Sequence, residues 1–154
     1  MTHDDQQSRA TGDRDGAAFP INDPGVSPVV VATRFVVRRR RHTLPFLRAA
    51  VVAGREAEAI PGFLGDSILA DLWNRRFWTV SVWASPEAVR SYGSAPGHAK
   101  AMRRTAQWAG EAEVQGWRAS TSEVLPFAET ARRFGVTAPQ RGLVRQLRPR
   151  NQHQ

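Results

Sequence analysis

The sequence has no cysteine, which excludes disulfides, thiolate catalysis and cysteine-ligated zinc. No apolar run approaches the roughly 20 residues that a membrane-spanning helix needs. The N-terminus is polar and acidic and lacks the apolar core of a secretory signal. We therefore predict a cytoplasmic protein without a membrane span. Its 154 residues suit one domain of ordinary size with additional tails.

Lysine is also nearly absent: Lys100 is the only one, and arginine carries the rest of the positive charge in a chain of net charge +8. The arginines concentrate at 38–41 and in the C-terminal tail. A GC-rich coding bias explains this composition, and a polyanion-binding surface is the alternative. Nucleic acid is not a favoured partner, because the sequence contains no helix-turn-helix, zinc-finger or ribonucleoprotein motif. Metal motifs, phosphate loops, nucleophile elbows and nicotinamide fingerprints are absent as well.

Three segments differ in composition. Residues 1–28 are nearly free of large apolar side chains and cannot bury enough surface to offset the entropy of ordering, so we predict a disordered N-terminal tail. Residues 29–120 carry the apolar periodicity of a folded α+β domain. Residues 121–154 are basic and interrupted by Gly and Pro, which predicts a mostly irregular C-terminal tail, with a short helix near 130–134 as an option.

Strand-like and helical stretches alternate within the folded segment. Thr43 and the Ser85-Pro86 pair are the expected helix starts. The predicted order β-α-β-β-α-β is that of a ferredoxin-like subunit, a four-stranded antiparallel sheet with the helices on one face. Strands are predicted at 29–37, 63–73, 76–83 and 113–120, and helices at 43–60 and 86–109, the second with a break at 93–97.

The predicted strands are apolar on both faces. Two helices can cover only one face of such a sheet, and an exposed apolar face of that size usually marks an interface. We therefore predict a homodimer in which two sheets pack face to face, a dimeric α+β barrel with a pocket between the sheet and the helices of each subunit. On the third strand, one face carries Phe77, Thr79, Ser81 and Trp83, and the other carries Trp78, Val80 and Val82.

Four short blocks occur in a consistent order and spacing. They are Arg-His-Thr-Leu-Pro-Phe-Leu at 41–47, Pro-Gly-Phe-Leu-Gly at 61–65, Phe-Trp-Thr-Val-Ser-Val-Trp at 77–83 and Gly-His-Ala-Lys-Ala-Met at 97–102. This pattern resembles the spheroidene-monooxygenase-like branch of the dimeric α+β barrel superfamily, which is related to the antibiotic biosynthesis monooxygenases. The resemblance covers 29–120 and leaves both tails outside it.

The resemblance implies one of three chemistries. Antibiotic biosynthesis monooxygenases oxidise electron-rich aromatic substrates with oxygen and no cofactor. Haem-degrading relatives use haem as substrate, and spheroidene monooxygenase is similar to a haem-dependent carotenoid oxygenase. The cofactor is therefore either haem or none, and the fold alone does not decide between them.

His98 is the candidate catalytic residue, because it starts a helical stretch beside the tryptophan-bearing strand. Its imidazole could act as a general base, or ligate iron if haem binds. The structural alternative is that His98 only hydrogen-bonds the start of its helix. Lys100 is the candidate partner of a haem propionate, with an exposed helix face as its alternative.

The candidate substrate-binding residues lie on the first and third strands. Trp78 and Trp83 could line a pocket for a flat aromatic or polyene molecule, although such tryptophans are more often core. Thr79 and Ser81 are the hydroxyls expected to face an otherwise apolar cavity. Arg34 either pairs with an acid such as Asp66 or Asp71, or serves a ligand carboxylate.

Two function classes follow. The first is a small-molecule monooxygenase-like enzyme that acts on an apolar, aromatic or polyene substrate, with or without haem. The second is a non-catalytic dimeric barrel that binds a ligand or a partner. A well-formed pocket of roughly 300 Å³ or more beside Trp83 and His98 favours the enzyme.

Overall fold

The computed structural model describes residues 27–120, 127–136 and 142–147. The predicted disordered tail therefore lies almost wholly outside the described residues. The elements in chain order are β1 (Val29–Val37), a 3-10 turn (Arg40–His42), α1 (Thr43–Ala57), β2 (Phe63–Asp71), β3 (Arg76–Trp83), α2 (Pro86–Gly93), α3 (Pro96–Trp108), β4 (Ala109–Arg118), α4 (Phe127–Arg133) and β5 (Leu143–Leu147).

The strands form one antiparallel sheet in the order β4-β1-β3-β2-β5. The first four give the predicted ferredoxin-like arrangement, with α1, α2 and α3 packed on one face. β1 and β3 are the two central strands of this core, and Val29 and Val37 are fully buried at the two ends of β1. The predicted α+β class and four-stranded antiparallel core are confirmed.

The turn between β2 and β3 is longer than the predicted two-residue hairpin. β2 ends at Asp71, and Trp73 lies in the turn with 78% of its surface exposed, so the prediction that it belongs to a strand is wrong. The Asp71 carboxylate accepts hydrogen bonds from Asn74 and Arg76 and holds the turn closed. Burial raises the pKa of Asp71, but these hydrogen bonds and the Arg76 charge outweigh burial, so its pKa lies below the usual value.

The face of the sheet opposite α1–α3 is not bare. Residues of α4 and the turn after it pack on this face, and Ala131 and Phe134 join one core cluster with Trp78, Val80 and Val82. The Phe134 ring meets the Trp78 ring edge-on, with centroids 5.6 Å apart. The prediction that this face stays uncovered in a single subunit is therefore wrong for this region, because the chain's own α4 covers it, while the predicted homodimer is not tested by this packing.

The C-terminal segment predicted as a mostly irregular tail, 121–154, contains two regular elements among its described residues. The optional short helix corresponds to α4, and β5 adds a fifth strand by pairing antiparallel with β2, from Asp66 opposite Leu147 to Ala70 opposite Leu143. The β5 sequence Leu-Val-Arg-Gln-Leu is short and lies among arginines. The basic composition of the segment therefore favoured an irregular tail over a strand. β2 thereby becomes an interior strand, and β4 and β5 form the sheet edges.

Candidate active site

A cavity of about 410 Å³ lies between the sheet and the helix layer. Its wall is largely apolar, with a small number of polar groups, which is the composition of small-molecule sites. Two lining side chains, Met102 on α3 and Val114 on β4, are 39% and 45% exposed, so the cavity opens between these elements. Among the lining residues are Val31, Thr33, Phe35, Phe46, Ala53, Asp66, Ile68, Thr79, Ser81, Trp83, Tyr92 and His98.

An aromatic stack forms one end of the cavity. Trp83 on β3 stacks on Tyr92 of α2 with ring centroids 5.1 Å apart, and Tyr92 in turn contacts the His98 ring at 4.4 Å. The Trp83 indole N–H donates to the Ser81 hydroxyl over 2.9 Å, and that hydroxyl donates to the Val31 carbonyl over 3.3 Å. Trp83 is thus fixed by both packing and hydrogen bonding.

His98 is the third residue of α3, and its Nδ1 lies 3.2 Å from the Gly93 carbonyl oxygen at the end of α2. A carbonyl can only accept, so Nδ1 carries the proton in this contact. In the neutral ring Nε2 is then the acceptor, on a residue that lines the cavity. The predicted structural contact at the helix start is present, and it leaves one nitrogen for chemistry.

Tyr92 and Asp66 are the functional-site residues that the sequence analysis did not single out as lining. The Tyr92 hydroxyl donates to the Ala53 carbonyl over 3.1 Å. Burial, followed by the negative charges of Asp66 and Glu56, raises the pKa of Tyr92 above its usual value. Asp66 is 6% exposed and lies opposite Ser81, on the cavity side of the sheet. The available signal was an acid in the interior of β2, between Gly65 and Ser67.

Four of the predicted site residues come together at this cavity: Thr79, Ser81, Trp83 and His98. Strand alternation explains the shared wall of the first three, and the break between α2 and α3 brings His98 to it. Their roles as substrate-binding and catalytic residues stay predictions.

The other predicted residues lie elsewhere. Trp78 is 1% exposed and belongs to the core under α4, on the far side of the sheet from the cavity, because successive strand residues point to opposite faces. The Arg34 guanidinium lies 5.7 Å from the Trp78 ring and pairs with Glu111 over 3.3 Å, not with Asp66 or Asp71. Lys100 lines a groove outside the helix layer. Trp78, Arg34 and Lys100 are therefore not among the residues that line the cavity.

Two further features bear on function. Within the described residues, no cluster of three or more His, Asp or Glu side chains could hold a metal ion. No helix in that same part of the chain has the length and apolar character needed to cross a membrane.

Comparison with solved structures places this fold. A candidate antibiotic biosynthesis monooxygenase from Nitrosomonas europaea superposes with a TM-score of 0.56 at 13% identity, covering 62% of this chain and 93% of that one. SnoaB, a cofactor-independent oxygenase from Streptomyces nogalater, gives a TM-score of 0.55 at 18% identity and covers 62% and 95%. A candidate antibiotic biosynthesis monooxygenase from Caulobacter crescentus gives 0.56 at 14%, covering 62% and 92%. The chain shares the ferredoxin-like α+β fold of these structures.

No protein-family model matches the sequence, and no curated protein matches it significantly. The structural neighbours are covered almost completely by 62% of this chain, so more than a third of it has no counterpart in them. The spheroidene-type branch stays a prediction.

Proposed function

We propose that this protein is a small-molecule monooxygenase-like enzyme that binds a flat apolar or aromatic substrate in the cavity between the sheet and α1–α3. The observation that carries the proposal is the cavity itself: about 410 Å³, mostly apolar, and bounded by the Trp83–Tyr92–His98 stack. The named oxygenase among the neighbours, SnoaB, needs no cofactor, which supports the same class here.

His98 is the proposed general base. Its Nδ1–H is held by Gly93, so the ring keeps a fixed orientation and offers Nε2 as the proton acceptor. Removal of a proton from an acidic C–H group gives a carbanion that can reduce oxygen directly. The overall change converts a CH₂ group and O₂ into a C=O group and water, so the substrate supplies all the electrons.

The lining matches a cofactor-free reaction better than a haem reaction. His98 could supply an axial nitrogen, but no arginine or lysine among the described residues lines the cavity, and its charged group is the Asp66 carboxylate. Lys100, the predicted propionate partner, lines the outer groove instead. An acid facing the propionates would repel them.

Oxygen uptake with anthrone as probe tests this proposal. Anthrone is a flat, neutral aromatic ketone with an acidic CH₂ group, and wild-type protein without added hemin should accelerate its oxygen-dependent conversion to anthraquinone above the background rate. His98→Gln should lower kcat/KM by about 10²–10⁴, the usual contribution of a general base. The matched control is His42→Gln, since His42 lies in the 3-10 turn outside the cavity lining.

The non-catalytic alternative gives a different result. If anthrone binds but oxygen uptake equals the background in wild type and variant, the barrel is a ligand-binding domain. If His98→Gln and His42→Gln lower kcat/KM equally, His98 is not the general base. The predicted homodimer, like the cytoplasmic location, stays a prediction, and the function proposed here needs only the cavity of one subunit.

A further inference from the structure

A second concavity of about 410 Å³ lies on the outer side of the helix layer, in the groove between α1 and α3. Ala49 and Ala101 line both this groove and the candidate active site, so the two spaces are separated by small side chains. Helical spacing explains the arrangement, because Ala49 and Ala101 lie where the inward and outward faces of each helix meet. We call this space the outer groove.

The floor of the outer groove is apolar. Pro45, Ala49 and Val52 contribute from α1, and Ala101 and Trp108 contribute from α3. Val52 is 48% exposed, so its side chain is available to a ligand in the groove. The half-buried Trp108 ring adds a flat apolar surface at one end.

The rim of the outer groove is cationic. Arg48, Lys100 and Arg104 all line it, and none of them forms an ion pair within the described residues. Lys100 is also the single lysine of the chain. Three positive charges around an apolar floor favour a ligand that is itself both apolar and negatively charged.

Glu56 is the acid that lines the outer groove, and its carboxylate lies at the N-terminal end of α3. A methyl group on Gly97 would overlap the Glu56 carboxylate, so this carboxylate lies against the first turn of α3. α3 has no side-chain cap of its own, and a negative charge at a helix N-terminus is stabilising. Glu56 is thereby directed at the helix end, and the rim keeps an excess of positive charge.

We propose that the outer groove is a second ligand site, distinct from the candidate active site, and that it binds an amphipathic anion: an aromatic or aliphatic body with one carboxylate, sulfonate or phosphate group. The body lies on Val52, the two alanines and Trp108. The anionic group lies among Arg48, Lys100 and Arg104. This assignment does not depend on the proposed oxygenase activity.

The test compares two probes of nearly the same shape, one anionic and one neutral. Naphthalene-2-sulfonate and the neutral naphthalene-2-sulfonamide are titrated into the full chain by calorimetry. We expect the sulfonate to bind roughly tenfold more tightly, because each exposed cation contributes modestly and three act together. Raising the ionic strength should remove this difference and leave the sulfonamide unaffected.

Charge reversal locates the site. The Lys100→Glu, Arg104→Glu double variant should lower sulfonate affinity roughly tenfold or more without changing sulfonamide affinity. Arg103→Glu is the control, since Arg103 is an exposed neighbour on α3 that does not line the groove. Lys100→Arg should keep the affinity. Equal affinity of wild type for both probes, or an equal loss in Arg103→Glu, would overturn the proposal.

Discussion

Tyr92 is the only tyrosine of the chain, and its ionisation can therefore be followed without interference from another phenol. Burial and the nearby acids Asp66 and Glu56 raise its pKa in the folded protein. The unfolded chain ionises near its ordinary pKa of about 10, so the folded state holds this proton more tightly. The stability that the neutral phenol contributes is present below that value and lost as pH rises above it.

We therefore expect native protein to show no tyrosinate absorbance at a pH where urea-unfolded protein shows it fully. The urea-derived free energy of unfolding should fall more steeply above pH 10 for wild type than for Tyr92→Phe. Tyr92→Phe also loses the hydrogen bond to Ala53, so its stability at neutral pH should be lower by about 1 kcal/mol. If Tyr92 ionises over the same pH range in native and unfolded protein, the claim that its phenol is buried is contradicted.

Ser81 illustrates how far residue-level prediction reached. Alternation along β3 correctly separates Thr79, Ser81 and Trp83 from Trp78, since a period of two is a local property of a strand. It does not show that the Ser81 hydroxyl is shared between Trp83 and Val31, because that bond joins β1 and β3 across 50 residues of sequence. The Arg34–Glu111 pair was missed for the same reason.

The helix starts show the same contrast at the scale of elements. Ser85 was predicted as an N-cap, and its hydroxyl accepts from the Ala88 N–H over 3.2 Å, with Pro86 and Glu87 in the first turn. Thr43 was predicted as the other cap, but the 3-10 turn moves the N-cap to His42. The Thr43 hydroxyl is buried and has no partner in the described part of the chain.

These two residues give opposite expectations on substitution. Ser85→Ala should lower the free energy of unfolding by about 1 kcal/mol, because α2 loses its capping acceptor. Thr43→Val keeps the shape and removes a buried hydroxyl without a partner, so it should be neutral or slightly stabilising. Urea denaturation measures both. An equal loss in the two variants would show that Thr43 contributes a cap after all.

On the scale of the whole molecule, the fold was predicted correctly from strands that are apolar on both faces. The deduction about what covers the second face was incomplete. The strands are apolar on both faces, as predicted, and Trp78, Val80 and Val82 are almost fully buried. What covers them includes Ala131 and Phe134, which lie beyond the segment identified as the domain. Their apolar pattern is short and set among arginines, so it does not predict a core contribution on its own. The contact of Phe134 with Trp78 is visible only in the folded structure.

Whether α4 covers its own sheet is testable through Phe134. Phe134→Asp places a charge against Trp78 and should detach α4 from the sheet, because burying an unpaired carboxylate is unfavourable. The freed apolar face should then be open to another copy, so we expect the variant to associate more strongly than wild type in sedimentation, whatever the oligomeric state of wild type. Arg132→Asp, an exposed change on α4, is the control and should leave the sedimenting mass unchanged. If Phe134→Asp instead associates less than wild type, the idea that α4 shields this face from other copies is contradicted, and Phe134 would have to support a contact between copies.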